Sequence, residues 1–365
     1  MVKRAYGFVD ASRGFYLELE KTLIELGCVV SKYDPAMYMY YDSNGKLDGL
    51  VLTHVDDLLH GSGGKEFEIN ILQPLRQRFL FGKEEESTFR YIGLQVDKVK
   101  DAIIVNQDGY IDSLADMEFK DLVGMKGDDF LDEEHQQQFR EFVGKIGWLA
   151  NTSRPDLSYD KLLLSTKAGK ATVKDYKTAV KLMKKLKCIT TEMKFPNLGD
   201  ITDWTLQGYG DAGYKSLPDD ISSCGGQVVL IVNKKKDLKC VVSWRSRKLR
   251  RVVSSSTAAE ALAANDVLDE VIYIKEILKE LVGNDAANIP IEIFTDSRNL
   301  HKSVLSTTLA DNARLRTDLA KLKQSLKDGE TTNFILVKGD AMIADCLTKR
   351  GASAEDLLKI LRYCE

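Results

Sequence analysis

Four acidic residues in the C-terminal half have types and positions that could bind divalent cations. Asp211 follows a strand-like run at 204–210, Asp296 ends the apolar run 289–294, and Asp345 opens a helix in Met342-Ile343-Ala344-Asp345-Cys346. Glu260 is the most informative of the four. Helical steps from it reach Ala264, Val267, Val271, Ile274 and Leu278, an apolar stripe. Its carboxylate therefore falls on a buried helix face, where an ionised group is costly unless paired or metal-bound. A second reading is a capping box, Thr257-Ala258-Ala259-Glu260, which has the S/T-x-x-E spacing of a helix start. Strand-end aspartates, for their part, often cap turns. Two-metal phosphodiester hydrolysis needs several convergent carboxylates, because two Mg2+ ions about 4 Å apart carry four positive charges. One ion activates water, the other stabilises the leaving oxygen, and both prefer Asp or Glu oxygens. Spacing alone does not bring four acids together.

The elements that would position them alternate. Strands are expected at 204–210, 226–232 and 238–244, then a long helix at 257–282. A strand at 289–295, helices at 297–305 and 313–327, a strand at 333–337 and a C-terminal helix follow. A hairpin sheet followed by alternating helix and strand is a mixed α/β layer fold. Upstream, Phe15, Leu19, Leu23 and Leu26 fall at helical spacing over 12–26, with Gly27 where a C-cap belongs. Two strand-like runs, 37–41 and 47–54, are joined by Asp42-Ser43-Asn44-Gly45, and Val55-Asp56-Asp57 interrupts before Leu58-Leu59. A helix (65–80), strands (89–97 and 102–106) and a short helix (108–116) come next. Residues 122–134 are acidic and broken by Gly124 and Gly127, which reads as a linker; 135–190 is mostly helical, and 195–200 reads as a second boundary. Gly61-Ser62-Gly63-Gly64-Lys65 lacks the Gly at 59 and the Ser or Thr at 66 of a phosphate loop, so it reads as a turn.

At about 150 residues per domain, 365 residues suggest two or three domains. With 29% charged and 44% hydrophobic residues and only 6 Pro, the chain is neither disordered nor collagenous. No uncharged apolar run approaches the roughly 18–20 residues of a membrane span, which excludes a membrane partner of that kind. The first residues lack a signal-peptide core, so an intracellular protein is expected. The six cysteines (28, 188, 224, 240, 346, 364) form no Cys-x-x-Cys pair and read as reduced, small hydrophobes rather than zinc ligands. A net charge of -3 conceals segregation. Nine lysines and one acid (Asp175) lie between Lys161 and Lys187, and nine bases and one acid (Asp237) between Lys234 and Arg251. A solvated helix face and an exposed hairpin would account for these clusters. Arg245, Arg247, Lys248, Arg250 and Arg251, which follow a strand and lead into a Ser/Thr-rich helix start, favour contact with a nucleic-acid backbone.

Taken in order, Gly-Tyr-x-Asp-Ala around Asp211, Ser-Thr-x-Ala-Glu ending at Glu260, Thr-Asp-Ser around Asp296 and Ala-Asp-Cys-Leu-Thr-Lys from Ala344 resemble the ribonuclease H domain of a copia-type LTR retrotransposon Pol polyprotein. Val242-Ser243-Trp244-Arg245-Ser246-Arg247-Lys248 resembles that family's Ile-Ser-Trp-x-Ser-Lys-Lys hairpin. Upstream, 6–16 resembles the reverse transcriptase segment that positions template and nucleotide, and Thr53-His54-Val55-Asp56-Asp57 its Tyr-Val-Asp-Asp box. Phe89-Arg90-Tyr91-Ile92-Gly93 is similar to the segment after the palm, and 147–156 to the connecting Leu-Ala-x-x-x-Arg-Pro-Asp stretch.

The resemblance implies an α/β and α+β chain: a partial reverse-transcriptase palm (1–122), a helical thumb or connection region (123–200), a ribonuclease H-like mixed-sheet domain (201–350) and a C-terminal helix (351–365). It implies that Asp211, Glu260, Asp296 and Asp345 hold two Mg2+ ions, with Mn2+ as substitute, and cut the RNA strand of an RNA–DNA hybrid. Asp56 and Asp57 would be a residual polymerase site, since the third carboxylate, the fingers and half of the palm are expected to be missing. No polymerase activity is then expected of this chain by itself, and another polypeptide supplying that half is a conceivable partner. His54 stands where the family has Tyr, and Asn312-Ala313-Arg314-Leu315-Arg316, where the family often has a His-rich helix, suggests a basic contact. The alternative is a catalytically inactive nucleic-acid-binding or assembly remnant.

Overall fold

The computed structural model describes residues 11–119, 122–218, 221–308 and 310–365. The stretch 6–10, compared above with a template-positioning segment, lies outside them. The chain divides into two compact units: one takes the chain up to Leu94 together with Tyr273–Asn288, the other Gln95–Ile272 and Ile289–Glu365. Among the described residues no helix is long and apolar enough to cross a membrane.

In the first unit the helix Ala11–Glu25 and an antiparallel sheet, β1 (Val29–Val30), β2 (Met37–Tyr41), β3 (Leu47–His54) and β4 (Asp57–Ser62), enclose a core of Leu19, Leu23, Tyr38, Val51, Phe67, Ile71 and Leu75. β4 was not expected. Its only apolar pair, Leu58-Leu59, is half-buried and the rest of the strand is exposed, so the alternation that announces a strand is lacking. The expected helix at 65–80 runs from Lys65 to Arg78 with a π-helical segment, Glu68–Leu72, inside it. β5 (Thr88–Tyr91) follows.

The second unit holds two sheets and a helical core. β6 (Leu94–Val99), β7 (Ala102–Asn106) and β8 (Glu192–Pro196) are antiparallel neighbours. β8 falls where the sequence suggested the beginning of a boundary; its five residues become a strand because they pair with β7, a partner about 90 positions away that no local pattern reveals. The helices Glu133–Thr152, Ser158–Ser165 and Val173–Cys188 meet through Phe139, Phe142, Ile146, Leu149, Tyr176 and Met183. Leu122, in the segment read as a linker, is buried in that same core. Thr172 and Asp175 form a reciprocal capping box at the start of the lysine-rich helix.

The last sheet has the order β11-β10-β9-β12-β13: β9 (Trp204–Gly213), β10 (Cys224–Asn233) and β11 (Leu238–Lys248) form an antiparallel meander, while β12 (Ile291–Thr295) and β13 (Asn333–Leu336) run parallel to β9. This is the mixed sheet expected of the C-terminal region. The long helix, Ser256–Val282, lies close to β9, because Gly208 and Gly210 have no side chain; a Cβ on Gly210 would stand 3.2 Å from the carbonyl oxygen of Ala263.

Between the helices, Arg154 of the Arg154-Pro155-Asp156 stretch is wholly buried. Its Nε and Nη2 donate to the two carboxylate oxygens of Asp156 (2.9 and 2.8 Å), and Nη1 donates to the Ile189 carbonyl (2.9 Å). Removing one partner of such a pair leaves an uncompensated buried charge, whereas the intact pair roughly breaks even against apolar packing. Arg154→Ala is therefore expected to cost about 3–5 kcal/mol in urea unfolding. A loss below about 1 kcal/mol would mean that Asp156 finds another partner or water.

Candidate metal centre and nucleic-acid interface

The register of the parallel strands brings the first two acids together. β12 pairs with β9 as Ile293 with Gly208 and Phe294 with Tyr209; two residues further along both strands stand Asp296 and Asp211. Neighbouring strands are about 4.8 Å apart, so Asp211, within β9, and Asp296, just past the end of β12, stand side by side. Glu260 enters from the first turns of the long helix. One ligand oxygen from each of Asp211, Glu260 and Asp296 lies within 4.8 Å of the other two, and among the described residues this is the one group of three potential metal ligands so arranged. Asp345 begins the single 3-10 turn Asp345–Leu347. It joins the others through Lys349, whose Nζ is 2.7 Å from Asp345 Oδ1, 3.3 Å from Asp211 Oδ1 and 3.9 Å from Asp296 Oδ2.

Packing holds the loop that carries Asp345 and Lys349 against the sheet. Gly226 pairs with Asp211 across β9 and β10. A Cβ there would stand 2.7 Å from Thr348 and 2.9 Å from Leu347, so glycine admits the loop. The Thr348 hydroxyl then donates to Asp211 Oδ2. The capping-box reading of Glu260 is not what the structure shows. Thr257 lies inside the helix, and the hydroxyl of Ser255 accepts from the Ala258 N–H instead. Glu260 Oε2 is buried without a hydrogen-bond partner.

The electrostatics follow from crowding in a desolvated site. Burial, reinforced by the charges of Asp211 and Asp296, pushes the Glu260 carboxyl up to about 9. Burial also raises Asp296, with Asp211 adding to it, and raises Asp345 against the opposing hydrogen bond from Lys349. Desolvation works against the charge of Lys349, but its hydrogen bond to Asp345 and the neighbouring carboxylates outweigh it and raise its pKa. Oxygen-only donors, an orphaned buried carboxyl oxygen and an organic cation drawn in among three carboxylates together fit one or more hard divalent ions.

The basic residues divide. Arg247, part-buried, pairs with Asp266, and Arg251, though exposed, pairs with Asp318, so each has a partner within the fold. Sequence reasoning missed these pairs because their partners lie 19 and 67 positions away. Arg245, Lys248, Arg250 and Arg251 are all exposed, whether or not they also have partners within the fold. Arg245 also lines a groove of about 650 Å³ along β11, together with Lys161, Phe195 and Trp244. The Trp244 indole N–H donates to the Ala150 carbonyl (2.7 Å), fixing the hairpin on the helix Glu133–Thr152. Arg316, of the segment read as a basic contact, donates from Nε to the Ala310 carbonyl (3.0 Å). In the other unit, Asp56 lies in the exposed turn joining β3 and β4, where Val55 takes a φ of 56°, and the exposed Asp57 opens β4 opposite His54. They are not part of a three-ligand group among the described residues.

The carboxylates of Asp211 within β9, Asp296 just past β12 and Glu260 on the long helix thus converge into a group that could hold a metal ion. Over 95% of its length the chain is 26% identical to the retrovirus-related Pol polyprotein from transposon RE1 of Arabidopsis thaliana, and likewise 26% identical over 95% to that from transposon RE2 of the same plant. It spans 24% of the length of each of these relatives. The motif resemblance and the curated relatives thus name the same kind of polyprotein. No family model matches the chain. Among solved structures, LC11-RNase H1 in complex with an RNA/DNA hybrid is 17% identical, with 42% of this chain and 99% of that one covered and a TM-score of 0.30.

The raised Glu260 sets the direction of a pH effect. Between its ordinary value of 4.5 and about 9, the folded metal-free chain holds a proton that the unfolded chain has lost. Stability from this group is complete below pH 4.5 and is lost as pH rises towards 9, by up to about 1.4 kcal/mol per unit. Glu260→Gln removes that proton equilibrium and should flatten the metal-free stability curve between about pH 5 and 9. Parallel curves for the two proteins would place the burial cost elsewhere.

Proposed function

We propose that the C-terminal part of this chain hydrolyses the RNA strand of RNA–DNA hybrids, with two Mg2+ ions (or Mn2+) held by Asp211, Glu260, Asp296 and Asp345. The observation that carries this reading is the meeting of the Asp211, Glu260 and Asp296 oxygens within 4.8 Å. The ordered motifs and the similarity to retrotransposon Pol polyproteins support the choice of substrate. Asp211 and Asp296, level on adjacent strands, would share the ions; Glu260 would orient the one that carries water, and Asp345 would complete the second position. Thr348 keeps Asp211 turned towards the site through its hydroxyl. Bound ions would supply Lewis acidity towards phosphoryl oxygens and a water of lowered pKa. The reaction adds the elements of water across one phosphodiester bond of the RNA strand. Glu260, neutral in the metal-free chain, would give up its carboxyl proton to solvent as a cation is taken up.

Arg245, Lys248 and Arg250 would hold phosphates of the duplex, whose A-form-like shape and 2'-hydroxyls, rather than base sequence, would be recognised. Arg247 and Arg251 would act on the fold, by fixing Asp266 and Asp318.

Purified chain, labelled hybrid and Mg2+ test the reading directly. The hybrid's RNA strand should be cut, and Asp296→Asn should slow cleavage by about 10³-fold or more, since ion-borne charge stabilisation is worth several kcal/mol. A folded wild-type chain that leaves the hybrid uncut would overturn it. For binding, Arg245→Ala and Arg250→Ala should each lower the slope of log affinity against log salt by about 1. Arg247→Ala should instead reduce stability; an equal loss of salt slope there would mean that Arg247 also serves the ligand.

A further inference from the structure

We propose that Lys349 is a built-in occupant of the cation site: its ammonium group bridges the carboxylates when no divalent ion is present and leaves them when one binds. The proposal rests on the metal-binding reading above and adds a residue to it. Lys349 follows the turn that carries Asp345, and its Nζ approaches acids from three separate elements, at 2.7 Å (Asp345), 3.3 Å (Asp211) and 3.9 Å (Asp296). Both oxygens of the wholly buried Asp211 are thereby used: Oδ1 by the ammonium, Oδ2 by the hydroxyl of Thr348. The oxygens an ion would take are the ones the lysine holds.

The arrangement is incomplete, which makes it exchangeable. Glu260 is 9% exposed, directed into the group, and its Oε2 has no partner among the described residues. One ammonium brings a single positive charge to four carboxyl groups, whereas two divalent ions bring four charges. Coulomb energy therefore favours the ions once they are available, and strongly so at a desolvated site. The lysine can yield. Its side chain is 43% exposed, on a flexible four-carbon stem that reaches water without moving the backbone. An ammonium in place nine-tenths of the time would weaken apparent ion affinity about tenfold, because only the vacated fraction is competent.

The test follows the lysine itself in the full chain. Acylation of the Lys349 amine is measured by peptide mass mapping with and without Mn2+, next to thermal stabilisation by the same ion. Lys349 should react slowly without the ion and several-fold faster at saturation, while the exposed Lys174 stays constant. Lys349→Met should melt lower without metal and bind Mn2+ about tenfold tighter. That gain should persist at 0.5 M salt, where a general loss of charge would be largely screened. Stabilisation by Mn2+ with unchanged Lys349 acylation would overturn this inference and leave the metal site standing. A folded chain that neither Mn2+ nor Mg2+ stabilises would remove both.

Discussion

Three carboxyl groups whose oxygens lie within 4.8 Å cannot all be ionised without repelling one another, and the C-terminal sheet is arranged to keep them there anyway. Parallel pairing of β9 and β12 sets Asp211 level with Asp296, and the strands cannot slip by one residue without turning every β9 side chain to the other face. Glycines at 210 and 226 let the long helix and the Asp345 loop approach as closely as the geometry demands. Every added side chain at these positions would separate the acids and relieve the repulsion. The close approach is a property of backbone packing, not of any attraction between the groups.

Glu260 shows what that arrangement costs. A carboxyl with one orphaned oxygen in a desolvated site stays protonated rather than ionised, and the apolar stripe behind it, Ala264, Val267 and Val271, all fully buried, offsets the penalty. The same stripe prevents retreat: rotating the helix to expose Glu260 would expose those side chains too. Helix packing thus fixes a group that prefers water in a place where a cation is its best available partner.

How much of this was legible in the sequence depends on whether the signal was local. The helical stripe through Glu260, the hairpin strands and the apolar β12 run are local periodicities, and the structure shows those elements within a few residues of their expected ends. The approach of Asp211, Glu260 and Asp296 depends on strand register between segments some 85 residues apart, which no local spacing encodes. β4 and β8 escaped for the same reason: each becomes a strand through its partner rather than through alternation of its own. The ion pairs of Arg247 and Arg251 went unseen because a run of bases looks alike in sequence whether or not its members meet an aspartate. Lys349 stood in a motif next to Asp345, yet nothing in that spacing announces that its amine reaches two further acids.

The arginine ridge and the acid cluster are consequently not independent features. Asp266, held by Arg247, lies on the long helix six residues beyond Glu260, so the ion pair ties β11 to the helix that carries the most deeply buried of the clustered glutamate and aspartate groups after Asp211. Arg251 similarly reaches Asp318 on the helix Ala313–Lys327, whose backbone carbonyl at the same residue accepts from Asn265, the neighbour of Asp266. Two arginines of this basic segment pair with aspartates, one on the helix that carries Glu260 and one on the helix Ala313–Lys327. Positive charge along this hairpin is thereby divided between bracing the helix that delivers the carboxyl group and presenting Arg245 and Arg250 to solvent, and the first duty constrains where the second can be performed.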